Sequence, residues 1–236
     1  MAGGAEILPE RLPDHFRQAL PETRNWYRVV PSRFPPVQLW DRLASREELN
    51  AVAAVESATN ARLSESVGDI SRVPEHDWIF GPGASPVMAA FCHPSPQGSR
   101  FSSGEYGVYY AADSVDAAAT EVAYHRRRWF MDNRIRPRTD TYRCYIGSVA
   151  KPLVDIREEA APRVLHDTGS WQASRSFGAA CRRNGRWGIH FASVRSEGAE
   201  CVALFRPPAS SPVIQGCHLT MEWDGEHVLG WERMDR

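Results

Sequence analysis

Apolar residues along this chain recur at two spacings, an alternation typical of strands and a three-to-four-residue period typical of helices. The alternation predicts a strand from Trp26 to Val30, ended by Pro31, and another from Gly107 to Ala112. Further strands and a C-terminal hairpin with an Asp224-Gly225 turn are predicted at Thr141 to Ile146, Trp187 to Ala192, Cys201 to Phe205, Leu219 to Trp223 and His227 to Glu232.

The helical period marks three longer segments. Ser45 can cap a helix that runs to Leu63, Asp113-Ser114 caps one that continues to Trp129, and another spans Ser170 to Arg183. A brief helix is also predicted between Pro9 and Pro21, ahead of the main domain. Residues 71 to 104 are rich in Gly, Pro and Ser and are predicted to be mostly loop. Because the strands do not alternate regularly with helices, the pattern predicts an α+β fold.

Length and composition narrow the classes of protein. The 236 residues, 42% of them hydrophobic, allow one large domain with an appended segment. The net charge of −1 provides no basic excess to hold a polyanion, so direct nucleic-acid binding is not expected. The five cysteines are an odd number without a close pair, which argues against a disulfide framework and indicates reduced thiols in the cytosol.

Targeting and metal-binding patterns are also missing from the sequence. The N-terminus lacks a basic start followed by an apolar run, and no uncharged apolar stretch approaches the roughly 20 residues of a membrane helix. Cys92-His93 has no second ligand pair at metal spacing, so no metal site is expected. We therefore expect a cytoplasmic protein that does not enter a membrane.

Glu121 is the first candidate for chemistry. It lies two turns into the helix that Ser114 caps, after three alanines and before Val122, so its carboxylate should be half-buried at the edge of a small apolar face. A half-buried carboxylate either pairs with a cation or takes part in a reaction. Helical spacing leaves open that Glu121 is an ordinary partner of Arg126 or Arg128, or part of a solvated face.

A succession of short motifs between about residues 26 and 206 resembles the RES family, which is named for its arginine, glutamate and serine. The order of the motifs, rather than any one of them, makes the resemblance specific, and it covers most of the chain. The motifs are Tyr27-Arg28 in the first strand, Ser99-Arg100-Phe101 before a glycine loop, Gly107 to Ser114, Glu121, Gly188 to Arg195, and Cys201 to Phe205.

The resemblance implies a fold like that of the diphtheria-type ADP-ribosyltransferases, with a small mixed sheet flanked by helices. Such a domain acts on NAD⁺ as its substrate and needs no cofactor. Residues 26 to 236 would form the catalytic domain, and residues 1 to 25 an accessory segment. An insertion at about residues 37 to 98 departs from the compact form of the family and could serve as a lid, an antitoxin dock or a dimer surface.

The resemblance also implies roles for the charged residues. Glu121 would stabilise the oxocarbenium ion that forms when the bond to nicotinamide breaks. Arg28 and Arg100 would bind the pyrophosphate through paired hydrogen bonds, with Arg28 counted among the catalytic residues. As a structural alternative, each arginine could instead hold loop carbonyls.

Aromatic and hydroxyl side chains complete the expected site. Tyr109 would stack on the nicotinamide ring and exclude water, with Tyr27 as a second candidate, although Tyr109 could also be a core aromatic. Ser193 would position phosphate or ribose as a catalytic residue, or could simply cap a turn. Ser170 and Ser174 compete with Ser193 for the family's serine position.

Family members are typically toxins that an antitoxin with a DNA-binding domain neutralises. We therefore expect a toxin of a type II toxin–antitoxin pair that depletes NAD⁺ by hydrolysis or phosphorolysis, and that can form a homodimer within the complex. Two alternatives remain open. One is a mono-ADP-ribosyltransferase that modifies a cellular protein, and the other is a non-catalytic binding module in which Glu121 is salt-bridged and inert.

Overall fold

A computed structural model describes residues 16–32, 39–43, 45, 47–48, 68–157 and 163–234. Within these ranges nine strands form one sheet in the order β1-β5-β6-β7-β3-β2-β4-β8-β9, with β5 and β6 parallel and the other pairs antiparallel. The strands are β1 Gln18–Ala19, β2 Trp26–Pro31, β3 Tyr109–Ala112, β4 Arg138–Gly147, β5 Leu153–Asp155, β6 Gly188–Ala192, β7 Glu200–Leu204, β8 Ile214–Trp223 and β9 Val228–Met234.

Helices cover both faces of this sheet. The described α-helices are α1 Leu39–Arg42, α2 Ser85–Cys92, α3 Val115–Asp132 and α4 Gln172–Arg183, and short 3₁₀ turns occur at Ile70–Arg72, Glu75–Asp77, Arg163–His166 and Pro207–Ala209. The α+β class predicted from the sequence is confirmed. The prediction of a small sheet is wrong, because the sheet has nine strands in the described residues. None of the helices in the described ranges is long and apolar enough to cross a bilayer.

Strand alternation divides the interior into two cores, one on each face of the sheet. On β2, Val29 is buried in the first core, which α3 and α4 cover, whereas Trp26 is buried in the second core, beneath α1 and α2. On β3, Ala112 is buried in the first core and Tyr109 in the second. Successive side chains of a strand point to opposite faces, so neighbours in sequence serve different layers.

The helix that carries Glu121 begins as predicted. Ser114 has extended backbone angles, and its hydroxyl accepts a hydrogen bond at 3.2 Å from the amide of Ala117, which is an N-cap. Ala117, Ala118 and Ala119 are buried on the first core. Small side chains let the helix lie close to β2 and β3, and this close packing places the next turn of α3 at the rim of the core.

A close approach between α4 and the Arg100 loop fixes that loop on the first core. Gly178 of α4 faces the backbone carbonyl of Phe101 so closely that a Cβ atom there would overlap it. Phe101 is fully buried, and its ring packs edge-on against Phe191 of β6 with centroids 5.1 Å apart. Glycine at position 178 therefore allows the contact that holds the segment around Arg100 in place.

Near the N-terminus, the described residues add a short strand to the sheet. Gln18 and Ala19 form β1 and pair with β5, so the predicted brief helix is wrong at these two residues, and its first part lies outside the described residues. Phe16 packs on Phe177 of α4 with ring centroids 5.0 Å apart. Strands of two and three residues, such as β1 and β5, are too short to show an alternation in sequence.

Other predicted elements have mixed outcomes. The strands and the C-terminal hairpin are confirmed, and Asp224 at the hairpin turn accepts hydrogen bonds from the amides of Glu226 and His227, both at 2.7 Å. Ser45 accepts a hydrogen bond at 3.3 Å from the amide of Glu48, as a cap does, but residues 49–63 of that predicted helix lie outside the described residues. All five cysteines are free thiols.

Candidate functional site

Glu121 lies at the rim of the first core with both carboxylate oxygens held. Its side chain is 21% exposed, which agrees with the half-buried position predicted from the sequence. Ser193 Oγ donates a hydrogen bond to Oε1 at 2.8 Å, and Arg195 Nη1 donates to Oε2 at 2.8 Å. The two donors fix the orientation of the carboxylate.

The two donors come from one tight turn between β6 and β7. The hydroxyl of Ser193 accepts hydrogen bonds from the amides of Arg195 at 3.2 Å and Ser196 at 3.1 Å while it donates to Glu121. Ser193 therefore caps a turn and contacts the carboxylate at the same time, so the two readings of this serine are compatible. The turn also aims Arg195 at the second oxygen of Glu121.

The largely buried guanidinium of Arg195 has donors that make no hydrogen bond within the described residues. Its side chain is 10% exposed, and its guanidinium carbon lies 3.8 Å from the centroid of the Tyr124 ring. Nε and Nη2 of Arg195 have no hydrogen-bond partner among the described residues. A buried donor without a partner costs free energy, so the two atoms are candidates for contact with a bound anion.

Arg100 is a second buried guanidinium near this carboxylate. It is 5% exposed, and Nη1 donates to the carbonyls of Leu165 at 3.3 Å and Asp167 at 3.0 Å. Burial and the charge of Arg195 lower the pKa of Arg100, whereas the charge of Glu121 opposes that shift. Arg100 thus holds loop carbonyls through Nη1, and its Nη2 is buried without a partner in the described structure.

Tyr110, rather than Tyr109, faces the Glu121 side of the sheet. Its hydroxyl lies 2.8 Å from Ser99 Oγ and accepts a hydrogen bond at 3.1 Å from the amide of Phe101, which ties β3 to the Arg100 loop. Burial raises the pKa of Tyr110 to about 12, so the hydroxyl stays protonated at neutral pH. The sequence did not distinguish Tyr110 from its neighbour Tyr109, because both positions fit a strand.

The structure places Arg28 and Tyr109 together on the opposite face. The Arg28 guanidinium lies 4.8 Å from the centroid of the Tyr109 ring and donates to the carbonyl of Tyr110 at 3.1 Å. Burial lowers the pKa of Arg28. Arg28, Arg100, Tyr109 and Glu121, which were expected to contact one substrate, therefore do not share one face of the sheet, because Arg28 and Tyr109 belong to the second-core face.

The structure also locates the other predicted site residues, which are a tyrosine and two serines. Tyr27 packs against the first core, on the Glu121 side of the sheet. Ser174 is fully buried and donates to the carbonyl of Trp171 at 3.1 Å, while Ser170 accepts from the amide of Gln172 at 3.3 Å. Of the three serines considered, Ser193 is the one that the structure brings to Glu121.

The expected partners of Glu121 on its own helix are engaged elsewhere. Arg126 donates to Asp140 at 3.0 Å and to the Tyr142 hydroxyl at 3.0 Å. Arg128 lies over the Trp171 ring, 5.9 Å from its centroid. The cation that pairs with Glu121 comes instead from Arg195, 74 residues later in the chain.

A cleft of about 1030 Å³ borders this cluster, between the second half of α3 and α4. His125, one helical turn after Glu121, lines the cleft and contacts the Trp171 ring with centroids 5.6 Å apart. Removal of water around the imidazole and the charges of Arg195, Arg100 and Arg128 lower the pKa of His125 to about 4. His125 is therefore neutral at pH 7.

Sequence reasoning missed the roles of four residues in this cluster: Tyr110, Tyr124, His125 and Arg195. Tyr124 and His125 follow Glu121 by three and four positions, so helical periodicity could have placed them on the same face. The position of Arg195, two residues after Ser193, was a weaker signal. The turn that brings Arg195 to Glu121 depends on a tertiary contact that local sequence does not encode.

Fold and site together define an α+β protein with a carboxylate that a serine hydroxyl and an arginine guanidinium hold beside a cleft. The family model described as RES domain matches residues 69–224, which is well over half of the chain. The chain belongs to the RES-domain family. The matched range contains Arg100, Tyr109, Glu121 and Ser193, whereas Arg28 and Tyr27 precede it.

Two further similarities accompany the family match. The chain is 25% identical over 209 residues to the uncharacterized protein y4oC of Sinorhizobium fredii (strain NBRC 101917 / NGR234), which covers 86% of this chain and 84% of that protein. A chain from the crystal structure of the M. tuberculosis MbcT–MbcA toxin–antitoxin complex superposes with a TM-score of 0.46 at 11% identity, covering 88% of each chain.

Proposed function

We propose that this RES domain cleaves the bond between nicotinamide and ribose in NAD⁺ and acts as the toxin of a toxin–antitoxin pair. The observation that carries the proposal is the Glu121 carboxylate, fixed through both oxygens and bordered by buried guanidinium donors for which the described part of the chain offers no partner. A fixed negative charge and free anion-binding donors are the two features that this cleavage requires.

Glu121 supplies the negative charge. When the C1′–N bond breaks, its electron pair leaves with nicotinamide, and a positive charge develops on the ribose. A carboxylate already oriented in a partly buried site stabilises that charge without reorganisation of solvent. An oxygen of water or phosphate then bonds to C1′ and loses its proton to solvent, which gives ADP-ribose or its 1-phosphate.

Arg100 and Arg195 supply the anion-binding donors. The pyrophosphate of NAD⁺ accepts several hydrogen bonds, and the unpaired Nη2 of Arg100 with Nε and Nη2 of Arg195 offers three donors close to Glu121. We assign the pyrophosphate contact to this pair. Arg28, on the other face of the sheet, is assigned a structural role with Tyr109.

The toxin role rests on family membership and on metabolism. An enzyme with an open NAD⁺ site drains a pool that every cell requires, so its activity has to be restrained. A protein antitoxin, carrying a DNA-binding domain as is typical of the family, would cover the cleft beside Glu121. Likeness to the diphtheria-type ADP-ribosyltransferase fold is part of the same proposal.

Induction of the gene alone tests this function. Growth should stop, cellular NAD⁺ should fall beforehand, and the folded Glu121→Gln variant should do neither. Constant NAD⁺ with arrested growth would reject depletion. In that case, ADP-ribose found on a cellular protein would identify the chain as a mono-ADP-ribosyltransferase. Uninhibited growth with constant NAD⁺ and no labelled protein would support a non-catalytic binding module.

A further inference from the structure

The cleft between α3 and α4 begins at His125, one helical turn beyond Glu121, and continues along both helices. Residues that line it are spread over nearly the whole of α4, from Gln172 to Arg183, which corresponds to about 16 Å along the helix axis. A volume of about 1030 Å³ is at the upper end of what small-molecule sites occupy. The cleft is thus large enough for the part of a dinucleotide that does not react.

Trp171 at the start of α4 provides an aromatic platform in this cleft. It is half-buried, and the guanidinium groups of Arg128 and Arg175 lie 5.9 and 5.4 Å from its ring centroid. An aromatic face beside arginines is a combination that binds nucleotides, since the base stacks on the ring and phosphate pairs with the cation. The platform therefore suits the adenine of a dinucleotide.

The two arginines beside Trp171 differ in the hydrogen bonds that their guanidinium groups make. Arg175 donates from Nε to the carbonyl of Ser99 at 3.0 Å and from Nη2 to that of Gln97 at 2.7 Å, so it builds the wall of the cleft. Arg128 is exposed, and within the described residues its guanidinium has no hydrogen-bond or ion-pair partner. Arg128 therefore has donors available for an anion.

The position of Arg128 places it beyond the pyrophosphate contact. Arg128 follows Glu121 by seven residues, which is two helical turns on the same face and about 10.5 Å along the axis of α3. A dinucleotide whose reacting ribose contacts Glu121 directs its adenosine half along the cleft, toward Arg128. Arginine at such a place accommodates a 2′-phosphate on the adenosine ribose, whereas a carboxylate binds the free 2′-hydroxyl.

We propose that the cleft binds the adenosine half of the dinucleotide and that Arg128 binds a phosphate on the 2′ position of its ribose. The protein then consumes NADP⁺ as well as NAD⁺, an inference that rests on the cleavage proposed above. The bond broken is the same C1′–N bond, and with water as acceptor the products are nicotinamide, a proton and 2′-phospho-ADP-ribose. The cleft also contains the carboxylates Glu105 and Asp132, which would favour an unmodified ribose if Arg128 did not contact the ligand.

Binding of two non-reacting probes tests the recognition step without turnover. ADP-ribose and 2′-phospho-ADP-ribose are titrated calorimetrically into the full chain. Arg128→Gln should weaken binding of the 2′-phosphorylated probe about ten-fold, the loss of one charge-assisted contact, and change ADP-ribose binding less than about two-fold. Trp171→Ala should weaken both probes.

Arg127→Gln is the matched control. Arg127 is the neighbouring residue, is exposed, donates to the carbonyl of Glu226 at 3.0 Å, and carries the same charge. It should leave both probes unaffected. Equal effects of Arg127→Gln and Arg128→Gln, or a wild-type chain that binds ADP-ribose but not the 2′-phosphorylated probe, would overturn the proposal.

Turnover separates this inference from the function on which it rests. Release of nicotinamide from both NAD⁺ and NADP⁺, with Arg128→Gln impaired about ten-fold on NADP⁺ alone, supports both. Release from NAD⁺ but not NADP⁺ overturns the inference and leaves the proposed function intact. Release from neither overturns the proposed function and dual consumption with it, and the probe titrations then decide whether the cleft recognises a 2′-phosphate.

Discussion

Arg195 forms an ion pair with Glu121 at 2.8 Å, while two of its other nitrogen atoms are buried and have no hydrogen-bond partner among the described residues. This relationship makes Arg195 and Glu121 a candidate site. A purely structural pair would be expected to satisfy its buried donors within the protein. We propose that Arg195 keeps the carboxylate in place and retains donors for a ligand.

Replacement of Arg195 by lysine should therefore impair catalysis. Lysine keeps the positive charge but cannot pair with Glu121 and an anion in the same planar arrangement, so NAD⁺ turnover should fall about 100-fold. Arg206→Lys is the control, since Arg206 makes a paired contact with Asp77 at 2.7 and 2.6 Å away from Glu121. Turnover by the control, corrected for the folded fraction, should match wild type. Equal losses in the two variants would remove Arg195 from the site.

Arg28→Lys and Arg100→Lys should have different effects. Arg28 stacks on Tyr109, so its replacement should lower the free energy of unfolding by about 1–2 kcal/mol with little change in turnover of the folded protein. Arg100→Lys should reduce turnover because we assign the Nη2 donor of Arg100 to the pyrophosphate contact. Urea unfolding and nicotinamide release measured on both variants check this. A large loss of turnover in an Arg28→Lys protein that remains stably folded would show that Arg28 acts in catalysis rather than in stability.

Serine substitutions distinguish the candidates for the family position. Ser193→Ala removes the donor to Glu121 and the acceptor for two turn amides, so turnover should fall by about ten-fold or more. Ser174→Ala removes only a bond to the carbonyl of Trp171 within α4 and should retain turnover. Steady-state kinetics on the two variants provide the comparison, and the reverse ranking would place the functional serine on α4.

Stability should decrease as pH falls from about 6.5 toward 4. The lowered pKa of His125, about 4, means that the unfolded chain binds more protons than the folded one in this window. Burial also lowers the pKa of His166 and His190, so they contribute with the same sign. Urea unfolding of His125→Gln between pH 4 and 7.5 should show a shallower dependence than wild type. An identical slope would mean that His125 titrates normally in the folded protein.

The regular elements could be predicted from sequence because their causes are local. The Ser114 cap, the buried alanines of α3 and the Asp224-Gly225 turn are all determined by a few neighbouring residues. The half-buried position of Glu121 followed from the same helix. Strands β1 and β5 could not be predicted, because two or three residues carry no period and their pairing depends on distant partners.

The choice of sheet face could not be predicted either. Tyr27 and Arg28 are adjacent, as are Tyr109 and Tyr110, and alternation assigns one member of each pair to each face. Helices cover both faces, so apolar pattern alone did not identify the face that carries the chemistry. Sequence reasoning placed Arg28 and Tyr109 beside Glu121, whereas the structure places them across the sheet with each other.

Nicotinamide release from NAD⁺ by the purified chain and by its Glu121→Gln variant tests the central claim most directly. The amide keeps the shape of the side chain and removes the charge, so the account predicts release by the wild type and a loss of about 100-fold or more in a variant that unfolds at the same urea concentration. Release by folded Glu121→Gln at the wild-type rate would contradict the account.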